Sequence, residues 1–351
     1  MFPVVVGLGL VLLMNTSWLM AVVLIICVVI FFIVNLIMRQ ESMLYVPCVM
    51  AGMQKPSDNP EGMRSPEDKG LKFEDVYLQT GDGLRIHGWF MPVGDEAATK
   101  SAPTLLFCHA NAGNIGLRVP NFAEILIKLR VNVFALDYRG FGESEGTPSE
   151  EGLIEDALSA WRWLWQAADA GRIDGSQMFV FGRSLGGAVA IALAAALQER
   201  SERPAPRGLI LENTFTSISA VVDALFPILA IPYLKKRFLR LKWESMERVR
   251  DLEVPLLFLT GQKDEMIPTA HSQQLHARAE KSKLRRHVFF PEGSHNDTWE
   301  KGGEQYWEVQ ASFLQECVRA SVGFKLKSAA AILPGTETID ETAIDNKVSP
   351  S

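Results

Sequence analysis

Apolar positions divide the chain into one uninterrupted N-terminal block and a longer region of alternating patterns. Residues 1–38 contain no charged side chain, and Trp18 to Met38 forms 21 residues whose only strongly polar side chain is Asn35. About 20 apolar residues are needed to cross the hydrocarbon core of a bilayer. The pattern therefore predicts a membrane anchor over 1–38 with a single spanning helix over about 18–38. A cleaved signal peptide, the alternative, usually has a basic n-region and a shorter apolar core.

After a polar linker at 39–70, short β-rich runs alternate with helical patterns. Strands separated by helices imply crossover connections, and therefore a mainly parallel central sheet flanked by helices. The first two runs are joined by Thr80-Gly81-Asp82-Gly83, which predicts an antiparallel hairpin at the sheet edge. The predicted strands are Phe73–Gln79, Leu84–Met91, Thr104–Cys108, Val131–Leu136, Met178–Phe181, Leu209–Leu211, Leu256–Leu259 and His287–Phe290. The predicted helices are Asn121–Leu129, Glu150–Ala168, Leu185–Glu199 and Ser272–Ala279.

Two segments depart from this alternation. Residues 214–250 combine an apolar stretch with a basic run, which indicates either a small lid inserted between strands or an ordinary pair of surface helices. The basic run comprises Lys235, Lys236, Arg237, Arg240 and Lys242. Residues 323–351 lack periodicity and are rich in Thr, Ser, Ala and acidic groups, which predicts a disordered tail. The α/β domain is therefore expected over 71–322.

Charge and cysteine content exclude some classes of protein. The chain carries 41 acidic and 35 basic side chains, a net charge of -6, so it has no excess of cations with which to coat nucleic acid. The four cysteines, at positions 27, 48, 108 and 317, form no CxxC pair. Neither a disulfide scaffold nor a cysteine-rich zinc site is indicated, and no metal ligand set is predicted.

The candidate chemistry begins at Gly182-Arg183-Ser184-Leu185-Gly186. This GxSxG sequence follows a predicted strand and begins a predicted helix, which is the strand–turn–helix context of a nucleophile elbow. Glycines at the flanking positions remove Cβ atoms where the strand and helix backbones approach each other. Ser184 is therefore the predicted nucleophile. The alternative is a glycine-rich tight turn that happens to contain a serine.

A serine hydroxyl needs a general base, and in this arrangement an acid and then a histidine follow the nucleophile along the chain. His295 lies in the loop after the last β-rich run, which makes it the predicted base. Asp264 follows an earlier apolar strand and can accept the second ring N–H of His295. Glu212 is the second candidate for the acid. Asp297 is too close to His295 in sequence, and we expect it to make a local turn hydrogen bond.

A tetrahedral intermediate also needs two preorganised N–H donors. The Leu185 amide is one candidate, because it follows the nucleophile at a helix N-terminus, where free N–H groups favour negative charge. The Asn111 amide is the other, in the loop after Thr104–Cys108. This chemistry requires no cofactor.

Several motifs occur together in the chain besides Asp264: His109-Ala-Asn-Ala-Gly-Asn114, Asp137-Tyr-Arg-Gly-Phe-Gly142, Gly182-Arg-Ser-Leu-Gly-Gly187, Glu212-Asn-Thr-Phe-Thr216 and Gly293-Ser-His-Asn-Asp-Thr-Trp299. This set resembles that of the α/β-hydrolase domain-containing protein 13 group of membrane-anchored serine hydrolases. The resemblance extends from about Phe73 to Val318 and implies an α/β-hydrolase fold with Ser184, Asp264 and His295 as its catalytic triad. Ala110 departs from the usual Gly and could shift the Asn111 amide.

These features predict a membrane-anchored serine hydrolase that cleaves an acyl ester or thioester, of a lipid or an S-acyl protein, through an acyl-enzyme. An aminopeptidase-like amide hydrolase and a non-catalytic membrane scaffold of the same fold are the alternatives. The expected partners are an acyl-containing substrate and the lipid bilayer, with protein partners left open. Arg39 and Lys55 follow the span and favour a cytoplasmic domain. In the group that this chain resembles, the hydrolase domain often faces a lumen. The sequence therefore leaves open which membrane holds the protein and which side of it the domain faces.

Overall fold

The computed structural model describes residues 2–200, 204–227 and 230–332. The strands within these residues are β1 (Glu74–Gln79), β2 (Arg85–Met91), β3 (Thr104–Cys108), β4 (Asn132–Leu136), β5 (Met178–Arg183), β6 (Leu209–Glu212), β7 (Leu256–Gly261) and β8 (Arg285–Phe290). The α-helices are α1 (Phe2–Met38), α2 (Gln40–Leu44), α3 (Glu96–Ser101), α4 (Val119–Leu129), α5 (Glu150–Asp169), α6 (Leu185–Arg200), α7 (Ile218–Leu225), α8 (Pro232–Phe238), α9 (Ser245–Arg250), α10 (Ala270–Arg278), α11 (Thr298–Lys301) and α12 (Gly303–Ile332).

The strands form one eight-stranded sheet in the order β1-β2-β4-β3-β5-β6-β7-β8. Strand β4 and the strands that follow it in this order pair in parallel, whereas β2 is antiparallel to both β1 and β4. The predicted parallel sheet and the antiparallel hairpin at one side of it are confirmed, with β1 as the outermost strand of the hairpin. Because the parallel strands point the same way, the loops that follow them all emerge at the edge of the sheet formed by the carboxyl ends of the strands. Ligands bind at this edge in open α/β folds.

The core lies on both faces of this sheet. Strand residues alternate between the two faces, so Leu106 packs in the layer that contains α5 and α6, and its neighbour Phe107 packs in the layer that contains α4 and α12. Strands buried on both faces are nearly continuous apolar runs, and in β3 every residue is buried. This explains why short continuous apolar runs identified the strands, and the predicted α/β-hydrolase fold is confirmed.

Some elements differ from the sequence-based expectations. The segment between β6 and β7 forms three helices, α7 to α9, and its role as a lid stays a prediction. Helix α12 was absent from the predicted helices and continues past residue 322, the expected end of the domain. Residues 333–351, the rest of the predicted tail, lie outside the described residues.

The N-terminal helix is longer than the predicted span. It runs from Phe2 to Met38, and its stretch Trp18–Met38 has a mean hydropathy of 3.3, with none of it buried against the rest of the protein. By length and composition this stretch can cross a membrane.

Candidate active site

Ser184 occupies a sharp turn between strand β5 and helix α6. Its φ is 54°, in the left-handed region that side chains other than glycine rarely adopt. A Cβ on Gly182 would lie 2.2 Å from the Gly186 carbonyl oxygen, and one on Gly186 would lie 2.0 Å from the Cys108 carbonyl oxygen. The two glycines therefore allow the close backbone approach that the GxSxG sequence predicted. Strained backbone of this kind is concentrated at functional sites.

His295 lies between Ser184 and Asp264. Its Nε2 is 3.0 Å from the Ser184 Oγ, and its Nδ1 is 2.8 Å from an Asp264 carboxylate oxygen. A carboxylate can only accept hydrogen bonds, so Nδ1 carries the proton and Nε2 presents its lone pair to the serine hydroxyl. The structure thus brings together three side chains that the sequence separates by 111 and 31 residues.

Asp264 is held rigidly by its own loop. Its second carboxylate oxygen accepts the backbone N–H groups of Met266, at 2.9 Å, and Ile267, at 2.7 Å. The side chains of Asp264 and His295 are 0% and 2% exposed, and Ser184 is 6% exposed. Water is therefore largely excluded from the three groups, which strengthens the electrostatic interactions between them.

Glu212, the second candidate for the acid, is engaged elsewhere. Its buried carboxylate accepts hydrogen bonds from Arg183 Nε at 2.8 Å and from the Tyr306 hydroxyl at 2.5 Å. Burial alone would lower the pKa of the Arg183 guanidinium, but its interactions with Glu212 and Tyr306 together raise that pKa. Asp297 accepts the Ser294 amide and hydroxyl, in the local turn expected from its spacing. Of these three carboxylates, only that of Asp264 hydrogen bonds to the His295 ring within the described residues.

The two amides expected to bind an oxyanion lie on adjoining segments. Leu185 is the first residue of α6, and Asn111 follows β3 in a loop whose first residues contact Gly186 closely enough to exclude a Cβ there. Neither amide has an acceptor among the described residues. The Asn111 side chain donates to the Leu44 carbonyl at 2.9 Å, and its own carbonyl accepts the Val46 amide at 2.9 Å. The segment after the N-terminal helix therefore holds this loop.

Asn213 is a site residue whose role sequence reasoning missed. It adopts a φ of 48° directly after β6, and its side-chain NH₂ donates to the carbonyls of Ser294, at 3.0 Å, and His295, at 3.1 Å. The same NH₂ donates to the Thr298 hydroxyl at 3.0 Å, and the Asn213 amide oxygen accepts the Gly261 N–H at 2.9 Å. Asn213 therefore joins the end of β7 to the loop that carries His295. The available signal was its place in the Glu212–Thr216 motif, immediately after a parallel strand.

His109 is the first residue after β3, and its side chain is fully buried in contacts that stabilise the fold. Its Nδ1 donates to the Ala110 carbonyl at 2.6 Å, and its ring packs against Tyr138 at a centroid distance of 4.3 Å. Burial lowers the pKa of His109 to about 3, so the ring is neutral in the folded protein near neutral pH. Within the described residues, no group of three or more His, Cys, Asp or Glu side chains could hold a metal ion.

Comparisons with known proteins agree with this architecture. A family model described as serine aminopeptidase, S33, matches residues 99–248, a range that contains Ser184 but ends before Asp264 and His295. The Arabidopsis thaliana α/β-hydrolase domain-containing protein WAV2 is 39% identical over 291 residues, which cover 80% of this chain and 89% of WAV2. The uncharacterized membrane protein YNL320W of Saccharomyces cerevisiae is 35% identical over 258 residues, which cover 72% of this chain and 83% of that protein.

Solved structures give the same fold. The Pyrococcus furiosus esterase Pf2001 superimposes with a TM-score of 0.57 over 72% of this chain and 96% of the esterase, at 19% sequence identity. At that identity the likeness concerns the fold alone.

Proposed function

The chain belongs to the α/β-hydrolase domain-containing family that includes WAV2, and we propose that it is a membrane-anchored hydrolase of acyl esters or thioesters, with Ser184, His295 and Asp264 as its catalytic triad. The matching family model and the esterase-like fold support a serine hydrolase of the α/β-hydrolase superfamily. The observation that carries the proposed triad is the continuous hydrogen-bonded chain from the Ser184 hydroxyl through His295 to Asp264.

The reaction follows from this proton arrangement. His295 Nε2 accepts the hydroxyl proton as Ser184 Oγ attacks the acyl carbonyl, and Asp264 stabilises the imidazolium that forms. The Leu185 and Asn111 amides donate to the oxyanion of the tetrahedral intermediate. His295 then gives its proton to the departing alcohol or thiol, which leaves an acyl-serine. Water attacks that acyl-serine with His295 again as base, releasing the carboxylic acid and restoring Ser184.

An ester or thioester of a lipid or of an S-acyl protein is the substrate class we favour. Helix α1 contains a 21-residue stretch, Trp18–Met38, that is apolar apart from Asn35 and is not buried by the domain, and anchoring it in a bilayer would concentrate the domain near membrane-bound acyl groups. The relative YNL320W, which aligns with 72% of this chain, is described as a membrane protein, and this supports the proposed anchor. Amide hydrolysis is the second candidate, because the matching family model is described as a serine aminopeptidase.

A fluorophosphonate probe tests the proposed nucleophile. Detergent-extracted full-length protein should be labelled covalently, and Ser184→Ala should abolish labelling without unfolding the domain. Ser159→Ala is the matched control, because Ser159 is equally buried but lies on α5 and donates only to the Glu155 side chain and carbonyl. It should label like the unsubstituted protein. Absence of labelling in folded, unsubstituted protein would instead favour a non-catalytic scaffold.

The substrate class needs a separate measurement. Acyl esters, acyl thioesters and aminoacyl amides of graded chain length should be compared by kcat/KM. A preference for esters or thioesters of long acyl chains supports the proposal, whereas turnover of aminoacyl amides alone would replace it with the aminopeptidase alternative.

A further inference from the structure

The end of helix α1 is attached to a segment about 200 residues away in sequence. The Gln40 side chain donates to the Phe238 carbonyl at 3.2 Å and accepts the Arg240 amide at 2.7 Å. The Arg240 guanidinium pairs with Glu41 at 2.6 Å. Gln40 is itself buried, so these contacts fix the end of α8 beside the first residues that follow the apolar helix.

The segment attached in this way exposes large apolar side chains. Tyr233 is 75% exposed and Phe238 39% exposed, and Ile231 and Leu234 are also exposed. Helix α8 has seven residues, so it is about 10 Å long, and every residue in it lies within about that distance of Phe238. If α1 crosses a bilayer up to Met38, the C-terminal end of α8 lies in or next to the headgroup layer, which extends roughly 6 Å beyond the hydrocarbon on each side.

The same segment is basic, in contrast to the acidic chain as a whole. Residues 230–242 contain five cations and no acidic side chain. Lys235 pairs with Asp223 and Arg240 with Glu41. Among the described residues, Lys236, Arg237 and Lys242 have no carboxylate partner in a salt bridge, and all three are exposed. Apolar side chains combined with unpaired cations are typical of surfaces that bind anionic lipid headgroups.

We propose that residues 230–242 are a second membrane contact, which lies in the headgroup layer of the leaflet from which α1 emerges and binds anionic phospholipid. The proposal rests on the membrane anchor in the proposed function. It explains why bulky apolar side chains are exposed beside the end of α1. It also orients the domain, because the segment lies between β6 and β7, whose carboxyl ends carry Asn213 and Asp264 at the candidate site.

Photocrosslinking of the full chain tests this contact directly. A benzophenone amino acid would replace Tyr233 in protein reconstituted into nanodiscs of phosphatidylcholine with or without phosphatidylserine, and lipid adducts would be measured by mass spectrometry. Ile127 on α4 is the matched control, since it is an apolar residue that is 61% exposed and lies outside residues 230–242 and α1. Ile25, exposed on α1, reports on the anchor itself.

Adducts at positions 25 and 233 but not at 127, with a higher yield at 233 when phosphatidylserine is present, are the expected result. Adducts at 25 alone would overturn the second contact and leave the anchor standing. Absence of lipid adducts at all three positions would overturn both, and protein adducts at 233 would assign the surface to a protein partner instead.

A charge-reversed variant adds a functional measurement. Lys236→Glu with Arg237→Glu should abolish the phosphatidylserine dependence at position 233 and lower the hydrolysis of vesicle-embedded esters. The same variant should keep the rate on a short soluble ester and the rate of fluorophosphonate labelling. An equal loss on soluble and embedded esters would assign the two residues to folding or to the active site, and would contradict the proposal.

Discussion

Replacing Asn213 with alanine should separate the positioning of His295 from the stability of the fold. The side chain is buried and makes four hydrogen bonds. Thr298 and Ser294 still hydrogen bond to each other at 2.7 Å after its removal, so the groups left without this partner are the Gly261 N–H and the His295 carbonyl. At about 1–3 kcal/mol for each unsatisfied buried group, the free energy of unfolding should fall by roughly 2–6 kcal/mol. Alanine at a positive φ adds about 1 kcal/mol.

Asn132 provides a control of the same chemistry. It is also fully buried, its amide oxygen accepts the Val93 N–H at 3.0 Å, and its NH₂ donates to the Thr99 carbonyl at 2.8 Å and the Thr104 hydroxyl at 3.1 Å. Asn132→Ala therefore leaves three groups without this partner, the Val93 N–H, the Thr99 carbonyl and the Thr104 hydroxyl, and at about 1–3 kcal/mol each it should cost at least as much as Asn213→Ala. It lies at the start of β4, at the sheet edge opposite the candidate site.

The readout is the rate constant for fluorophosphonate labelling of Ser184, measured at a temperature where circular dichroism shows both variants folded. A displacement of about 1 Å in a catalytic group can cost about 100-fold in rate. We expect a loss of that order in Asn213→Ala and almost none in Asn132→Ala. Equal rates in the two variants, at similar losses of stability measured by urea unfolding, would refute the assignment of Asn213 as a positioning residue.

Three further predictions follow from the same contacts. Asp264→Asn should lower kcat on the order of 10⁴-fold by removing the charge that orients and stabilises the His295 imidazolium, as judged by ester hydrolysis, with little change in urea unfolding. Gly186→Ala should prevent correct folding of the elbow, because the new methyl would lie 2.0 Å from the Cys108 carbonyl oxygen, and loss of soluble expression measures this. His109→Phe should reduce the acid sensitivity of stability. The pKa of His109 is about 3 when folded and about 6.5 when unfolded, so between these values the unfolded chain binds more protons, and stability falls by up to about 1.4 kcal/mol per pH unit as pH decreases. Urea unfolding at pH 7 and pH 5 should show a smaller difference in the variant.

Each of these predictions has an outcome that contradicts it. If Glu212→Gln abolished labelling in folded protein while Asp264→Asn retained it, the acid would be Glu212. A folded, active Gly186→Ala protein would show that the strand and helix separate more easily than their spacing implies. An unchanged pH dependence in His109→Phe would mean that other groups cause the acid sensitivity.

The alternation of apolar and polar runs predicted most of the fold. Strand β3 begins and ends where it was predicted, because a strand buried on both faces is a short, largely apolar run. Helix α12 was missed, although Tyr306, Trp307, Phe313 and Leu314 lie at helical spacing and pack in the core. Their periodicity was the signal that would have identified it.

The sequence by itself determined the apolar N-terminal helix, the alternating α/β pattern and the elbow that carries Ser184, because each depends on neighbouring residues. It also restricted the base and acid to residues that follow parallel strands. Only the tertiary structure shows which of Asp264 and Glu212 hydrogen bonds to His295, since Glu212 ends β6, Asp264 follows β7, and both lie at the same edge of the sheet. Arg183 and Tyr306 engage Glu212, which leaves Asp264 for His295. The contacts of Asn213 and Gln40 are likewise tertiary, because they join residues tens to hundreds of positions apart whose distance no local pattern encodes.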